Sequence, residues 1–113
     1  MDPPGRSWRF VPWAELGRDE LYAILVLRSR VFVVEQTCPY LDPDGLDPAC
    51  WHLWTAGPEA RALAYTRVVP PGAKYAEASL GRVVTAPEAR MLNGQWIEAQ
   101  PKCRELGLLA DWR

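Results

Sequence analysis

Asp19-Glu20-Leu21-Tyr22-Ala23-Ile24-Leu25-Val26-Leu27-Arg28-Ser29-Arg30-Val31-Phe32-Val33-Val34-Glu35 is the stretch that decides the fold. Leu21, Ile24, Leu25, Arg28, Val31, Phe32 and Glu35 return at steps of three and four, which lines them up on one face of a helix. The spacing predicts a helix from about residue 19 to about residue 35, with Asp19 as its N-cap. In its last turn, Val31 to Val34 is β-branched enough for a strand to compete. Arg28 and Glu35 stand seven residues apart on the otherwise apolar stripe. A bare charge facing a core is costly, so each needs a partner or an opening onto a cleft. Two readings follow: a structural ion pair or snorkelling side chain, or a stripe whose C-terminal end borders a substrate site.

On the N-terminal side, Ser7 to Val11 alternates around Trp8 and Phe10 and reads as a strand closed by Pro12. On the other side, Cys38 to Pro48 is a rigid acidic loop with three prolines. Trp51 to Ala56, Arg61 to Val69 and Ala78 to Thr85 then read as strands, punctuated by Gly57-Pro58-Glu59, Pro70-Pro71-Gly72 and Pro87. Strand, helix, then three strands on short turns favours an antiparallel meander with the helix on one face. This is an α+β layout of about four strands.

The chain has 113 residues, the material of a single domain, and we see no repeat or low-complexity linker in it. Hydrophobic residues at 49% and charged residues at 24% exclude a disordered polymer. Thirteen basic against 14 acidic residues, with no basic block, argue against a nucleic-acid or anionic-membrane partner. The longest apolar runs fall far short of the ~20 residues that span a bilayer. The N-terminus carries no secretory pattern, so a cytoplasmic location is expected. Cys38, Cys50 and Cys103 are an odd number without a paired spacing, as expected of reduced thiols. Eleven prolines imply many fixed turns, and six tryptophans supply large side chains to a small core.

The run Leu21 to Tyr40, then Asp42-x-Asp44-Gly45-x-Asp47, His52, Ala64-Tyr65-x-Arg67-Val68 and Gly81-Arg82-Val83-Val84-Thr85, resembles the ElaA-like branch of the GNAT N-acetyltransferases over about residues 8–90. The resemblance implies a partial GNAT fold and transfer of an acetyl group from acetyl-CoA, as co-substrate, to a primary amine of a small molecule or peptide. It further implies that the fourth strand binds the cofactor's pantetheine arm through backbone groups of Val83, Val84 and Thr85. A strand amide there can polarise the thioester carbonyl. Arg90 stands where the family's pyrophosphate loop begins, in which successive N–H groups at a helix N-terminus bind an anion. Against the pattern R-x-x-G-x-G/A, Asn93 and Gln95 replace the glycine and the last position, and Gly94 is the glycine present. Pro101 interrupts the helix that should follow, and a short helix is expected around Lys102 to Leu106. Residues 91–113 thus read as a divergent tail. The family's fifth strand and final hairpin have no counterpart, and the chain is about 35–40 residues short of a domain near the typical ~150.

Site residues follow from this reading. Glu35 and His52 are the general-base candidates, because a protonated amine has no lone pair with which to attack; a structural hydrogen-bonding role for His52 is equally open. Arg28, Tyr65 and Arg82 are expected to line the substrate pocket. Asp42, Asp44 and Asp47 do not make an EF-hand, since Leu46 and Leu53 fall where ligands are needed; a turn fixed by Asx-type bonds is expected, in a loop able to attract a cationic amine. No metal is expected, because Cys38, Cys50, His52 and Cys103 match no zinc spacing, and nothing marks Cys38 as an activated nucleophile. A second reading is an inactive, truncated GNAT domain whose exposed fourth-strand edge pairs with another protein or forms a homodimer.

Overall fold

A computed structural model describes residues 8–92. Four strands form one antiparallel sheet in the order β1 (Arg9–Pro12), β2 (Trp51–Ala56), β3 (Ala62–Val69), β4 (Ser79–Thr85). One long helical segment, beginning with α1 (Arg18–Arg28), separates β1 from β2. The expected α+β meander is the observed one. Trp51 pairs with Val68 and Trp54 with Tyr65, so His52, Trp54, Tyr65 and Arg67 share one face of the sheet, as the period of two requires. Ile24, Leu27 and Val31 pack into the same core as Leu63, Tyr65 and Val84. Burying each of those three aliphatic side chains contributes about 1.5–3 kcal/mol. β3 is buried along its entire length.

The helix begins one residue earlier than expected and is capped differently. Gly17 is the N-cap, and Asp19 lies inside the first turn. Glu20 reaches back to accept the Gly17 N–H at 2.8 Å, also accepts the Trp54 indole N–H at 3.1 Å, and pairs with Arg9. A carboxylate at the third helical position satisfies one of the N–H groups orphaned at a helix start and complements the helix dipole. Its tie to Trp54 also fixes the helix to β2.

The far end corrects the expected stripe. From Ser29 to Glu35 the segment winds as a π-helix, ending with Gln36 N–H bonded to Val31 O at 2.8 Å. The helical conformation, not the competing strand, wins over Val31–Val34. Wider turns advance fewer degrees per residue, so seven residues after Arg28 the chain has not returned to the same face. Arg28 is therefore buried while Glu35 is exposed, and Val33 and Val34 are exposed with it.

Candidate active site

β4 pairs with β3 on one side only among the described residues, and its ladder is broken in the middle. Tyr65 pairs with Val84 and Arg67 with Gly81, so Arg82 and Val83 together oppose Thr66. This is a β-bulge, and its first residue, Arg82, has φ +52°. The position ordinarily belongs to glycine, because a Cβ makes left-handed backbone costly. Thr66 Oγ1 donates to Gly81 O at 2.9 Å beside it. Past the bulge, Ala86 N–H donates to Leu63 O at 2.8 Å, which marks that pair as hydrogen-bonded. By antiparallel alternation, the backbone N–H and C=O of Thr85 then point away from β3, in a residue that is itself buried. Val83 is partly exposed, and Val84 is buried on the helix side.

The acidic loop closes over the helix side of this bulge in a ring of six charges. Arg28 Nε donates to Asp42 at 2.8 Å and Arg28 Nη1 to Asp47 at 3.0 Å. Arg67 Nη1 donates to Asp47 at 2.9 Å and Arg67 Nη2 to Asp44 at 2.8 Å. Arg82 Nε donates to Asp42 at 2.8 Å and Arg82 Nη2 to Asp44 at 3.3 Å. Each guanidinium thus bridges two carboxylates, each carboxylate receives two guanidiniums, and the ring is formally neutral. Asp42 O accepts two further bonds, from Arg28 and Arg82, at 3.0 and 2.9 Å. The ring joins α1, β3, β4 and the loop. Its Arg28–Asp47 side is closed to water, and it opens at Arg82 and Asp44, whose side chains are 15% and 31% exposed. The Arg67 guanidinium beside Asp44 holds that carboxyl well below the usual carboxylate range. For Asp47 burial pushes upward, and the bonds from Arg28 and Arg67 outweigh it, so this carboxyl is also held low. Leu46 N–H donates to Asp44 Oδ1 at 3.1 Å, the Asx turn expected there. The three carboxylates are thus engaged by arginines of their own chain.

His52 and Tyr65 sit beneath the ring, both fully buried. His52 Nε2 lies 3.0 Å from Asp47 O and Nδ1 lies 2.7 Å from the Tyr65 hydroxyl. A carbonyl only accepts, so Nε2 carries the proton, and the Nδ1 lone pair takes the Tyr65 O–H. Burial pushes the His52 pKa down and the Tyr65 pKa up, leaving both neutral. The structure differs here from the expected roles. Tyr65 is enclosed at 0% exposure, as is Arg28, so neither side chain is open to solvent, and the one lone pair of His52 is already engaged. Arg82, the third residue expected in the pocket, is turned onto Asp42, Asp44 and the Tyr40 ring.

Of the other expected residues, Glu35 lies on the surface at the end of the π-helix. Arg90 belongs to a short 3₁₀ segment, Pro87–Leu92, directly after β4. Gly94 and Cys103, the altered glycine loop and the expected short C-terminal helix lie outside the described residues. Cys38 and Cys50 are free thiols, and burial pushes the Cys50 thiol pKa up. A cleft of about 350 Å³ opens elsewhere, between α1 and the β2–β3 turn, with Tyr22, Val26, Leu27 and Ala62 in its walls. It draws on none of the residues expected to hold cofactor or substrate. Sequence reasoning missed Arg67 as a partner of the loop; its place two residues after Tyr65 on an otherwise apolar strand was the available signal.

No family model matches the chain. An acyl-CoA N-acyltransferase from Pseudomonas aeruginosa, solved by crystallography, is 40% identical and superposes with a TM-score of 0.78 over 88% of this chain and 68% of that one. Escherichia coli ElaA superposes with a TM-score of 0.69 at 30% identity, over 90% of this chain and 64% of that one. A UPF0039 protein of Synechocystis is 39% identical over 84 residues, which is 74% of this chain and 54% of its own length. The chain spans about half the length of the curated relatives it matches. With a bulged edge strand following the helix-capped meander, and 40% identity across two thirds of a solved member, the chain belongs to the ElaA-like GNAT acyl-CoA N-acyltransferases.

Proposed function

We propose that this chain contributes to transfer of an acyl group, acetyl in the simplest case, from acyl-CoA to a primary amine. The observation that carries the reading is the bulge that interrupts β4 against β3 at Arg82 and Val83, on the strand along which an extended, amide-bearing arm would pair. Acyl-CoA supplies an activated thioester. The amine nitrogen forms the new N–C bond, the C–S bond breaks, the nitrogen loses a proton, and the departing thiolate gains one. Of the three residues expected to hold the arm, Val83 and Thr85 would present backbone groups to it, whereas those of Val84 are turned to Tyr65 on β3; an amide on the side away from β3 would also stabilise developing negative charge on the carbonyl oxygen. The family resemblance assigns Arg90, and Gly94 outside the described residues, to the pyrophosphate. For the proton on the amine we favour Glu35, an exposed carboxylate at the end of the helical segment, over His52, whose lone pair is occupied by Tyr65.

Thermal unfolding with and without millimolar acetyl-CoA, with desulfo-CoA as a control, tests binding. A ligand held by the folded chain raises the midpoint as ln(1 + [L]/Kd). Intact-mass detection of acetyl transfer to a panel of amines and amine-bearing peptides tests the chemistry. A rise of several degrees together with a mass gain on any acceptor supports the proposal. An unchanged midpoint at saturating ligand, with no acceptor modified, would overturn it for this chain. A midpoint that depends on protein concentration alone would favour a self-pairing edge instead.

A further inference from the structure

We propose that the ring of arginines and aspartates is a positioning device: Asp42 and Asp44 grip Arg82 and so hold the β4 bulge in the left-handed geometry that shapes the edge for an acyl thioester. The argument starts from a misfit. Arg82 has φ +52° at the one residue of β4 where the chain needs a glycine's freedom. A β-carbon there is strained, and strain of that kind persists only where the surroundings over-determine it.

The surroundings do so. The Arg82 side chain makes three charge-assisted bonds, to both Asp42 Oδ1 and Asp42 O and to Asp44 Oδ2, and its guanidinium lies 5.0 Å from the Tyr40 ring centroid. None of these partners is itself loose. Asp42 is fixed by buried Arg28 through two bonds, and Asp44 is fixed by Arg67 through a two-pronged contact. Arg28 belongs to α1 and Arg67 to β3, so the anchor is the body of the fold and the strained residue is its load. If Arg82 relaxed to ordinary β geometry its guanidinium would leave the loop, and Asp42 and Asp44 would each lose one of two cationic partners. The bulge is where the ladder to β3 is interrupted, directly before Val83, Val84 and Thr85. Its geometry therefore fixes how those backbone groups are presented.

The proposal rests on the acyl-CoA reading only for the identity of the ligand; the grip on the bulge is testable without it. Arg82→Ala removes the grip and keeps a β-carbon, so the bulge should relax. Arg82→Gly also removes the grip, yet glycine tolerates the left-handed backbone and the bulge should remain. Both leave Asp42 on Arg28 and Asp44 on Arg67, so neither exposes a naked charge. Amide hydrogen exchange, followed residue by residue, should show the Val84 and Ala86 amides, which bond back to β3, exchanging roughly tenfold faster in Arg82→Ala than in the parent, with Arg82→Gly close to the parent. The Kd for acetyl-CoA should follow the same order, with roughly a tenfold loss in Arg82→Ala and recovery in Arg82→Gly. A merely structural role for the side chain predicts the two variants to be equally impaired, since both lose the same bonds. Equal behaviour of Arg82→Ala and Arg82→Gly, or parental exchange in Arg82→Ala, would overturn the proposal. Exchange in the expected order with no acetyl-CoA binding by the parent would uphold the grip and overturn the acyl-CoA reading.

Discussion

Two charge clusters on this chain use the same chemistry in opposite settings. In the ring, Asp47 bridges Arg28 and Arg67, which are 0% and 2% exposed. On the surface, Glu88 bridges Arg30 and Arg61 at 2.9 and 2.7 Å, with all three side chains more than 40% exposed. By distance alone the surface bridge is as good as the buried one. What separates them is the alternative available to each charge when its partner is lost. Around Glu88 water takes over; around Asp47 nothing does. Removing one member of a buried ionic set typically costs about 3–5 kcal/mol, because the remaining charges stay desolvated and uncompensated.

The largest effect should therefore come from Asp47→Asn, which keeps size and shape but strips the anion from two buried arginines. Urea unfolding should show a loss of about 3–5 kcal/mol, a large share of the stability of a small domain. A loss below ~1 kcal/mol would mean that water enters the ring and that the contrast between the two clusters is one of geometry only. Tyr65→Phe comes next. It leaves the Nδ1 lone pair of His52 buried and without its hydroxyl donor, at a cost of roughly 1–3 kcal/mol. If Tyr65→Phe instead matches the parent, the bond is not what orders this part of the core.

Acid should act on the buried region in two stages. The folded His52 pKa lies below its ordinary value of 6.5, so as pH falls below that value the unfolded chain takes up a proton that the folded chain refuses. Stability then declines with a slope of at most ~1.4 kcal/mol per pH unit, until the folded value is also reached. Asp44 and Asp47 are depressed below 3.8, so their contribution is present above about pH 4 and is lost as pH falls through their folded values. Stability measured by urea unfolding from pH 8 to pH 3 should fall in the two corresponding windows. His52→Gln should flatten the upper one and leave the lower one in place. A single decline confined to acid below pH 4 would show that folded His52 takes up its proton as readily as the unfolded chain does.

The legible and illegible parts of this molecule divide on the same physical line. β2 spans Trp51–Ala56 as its pattern predicted, and β3 and β4 each begin one residue later than expected. Alternation and Pro/Gly punctuation are local, and local rules sufficed there. The helix ran to Glu35 as expected, but α and π windings share one hydrophobic pattern until packing chooses between them. Glu35 was thus placed on the wrong face. Arg28 reads in the sequence as a charge in need of a partner, and the aspartates read as a turn. That they meet, joined by Arg67 and Arg82, depends on contacts spanning 14 to 40 residues that only the sheet brings together. The bulge was illegible because arginine carries no signal for left-handed backbone.

The smallest effect completes the contrast. Glu88→Gln removes the shared anion of Arg30 and Arg61, which hold the segment after β4 against the π-helix that follows α1 and against the β2–β3 turn. Those arginines keep their hydration, so the urea midpoint should not move measurably at physiological salt. The bonds from Arg30 hold the Glu88 carboxyl below its ordinary value, which in an exposed site describes attraction and carries little stability. A clear destabilisation by Glu88→Gln that vanishes in 1 M salt would place this bridge in a screened but energetic class. One that survives 1 M salt would mean that the segment following β4 is anchored through Glu88 as firmly as the bulge before it is anchored through the ring.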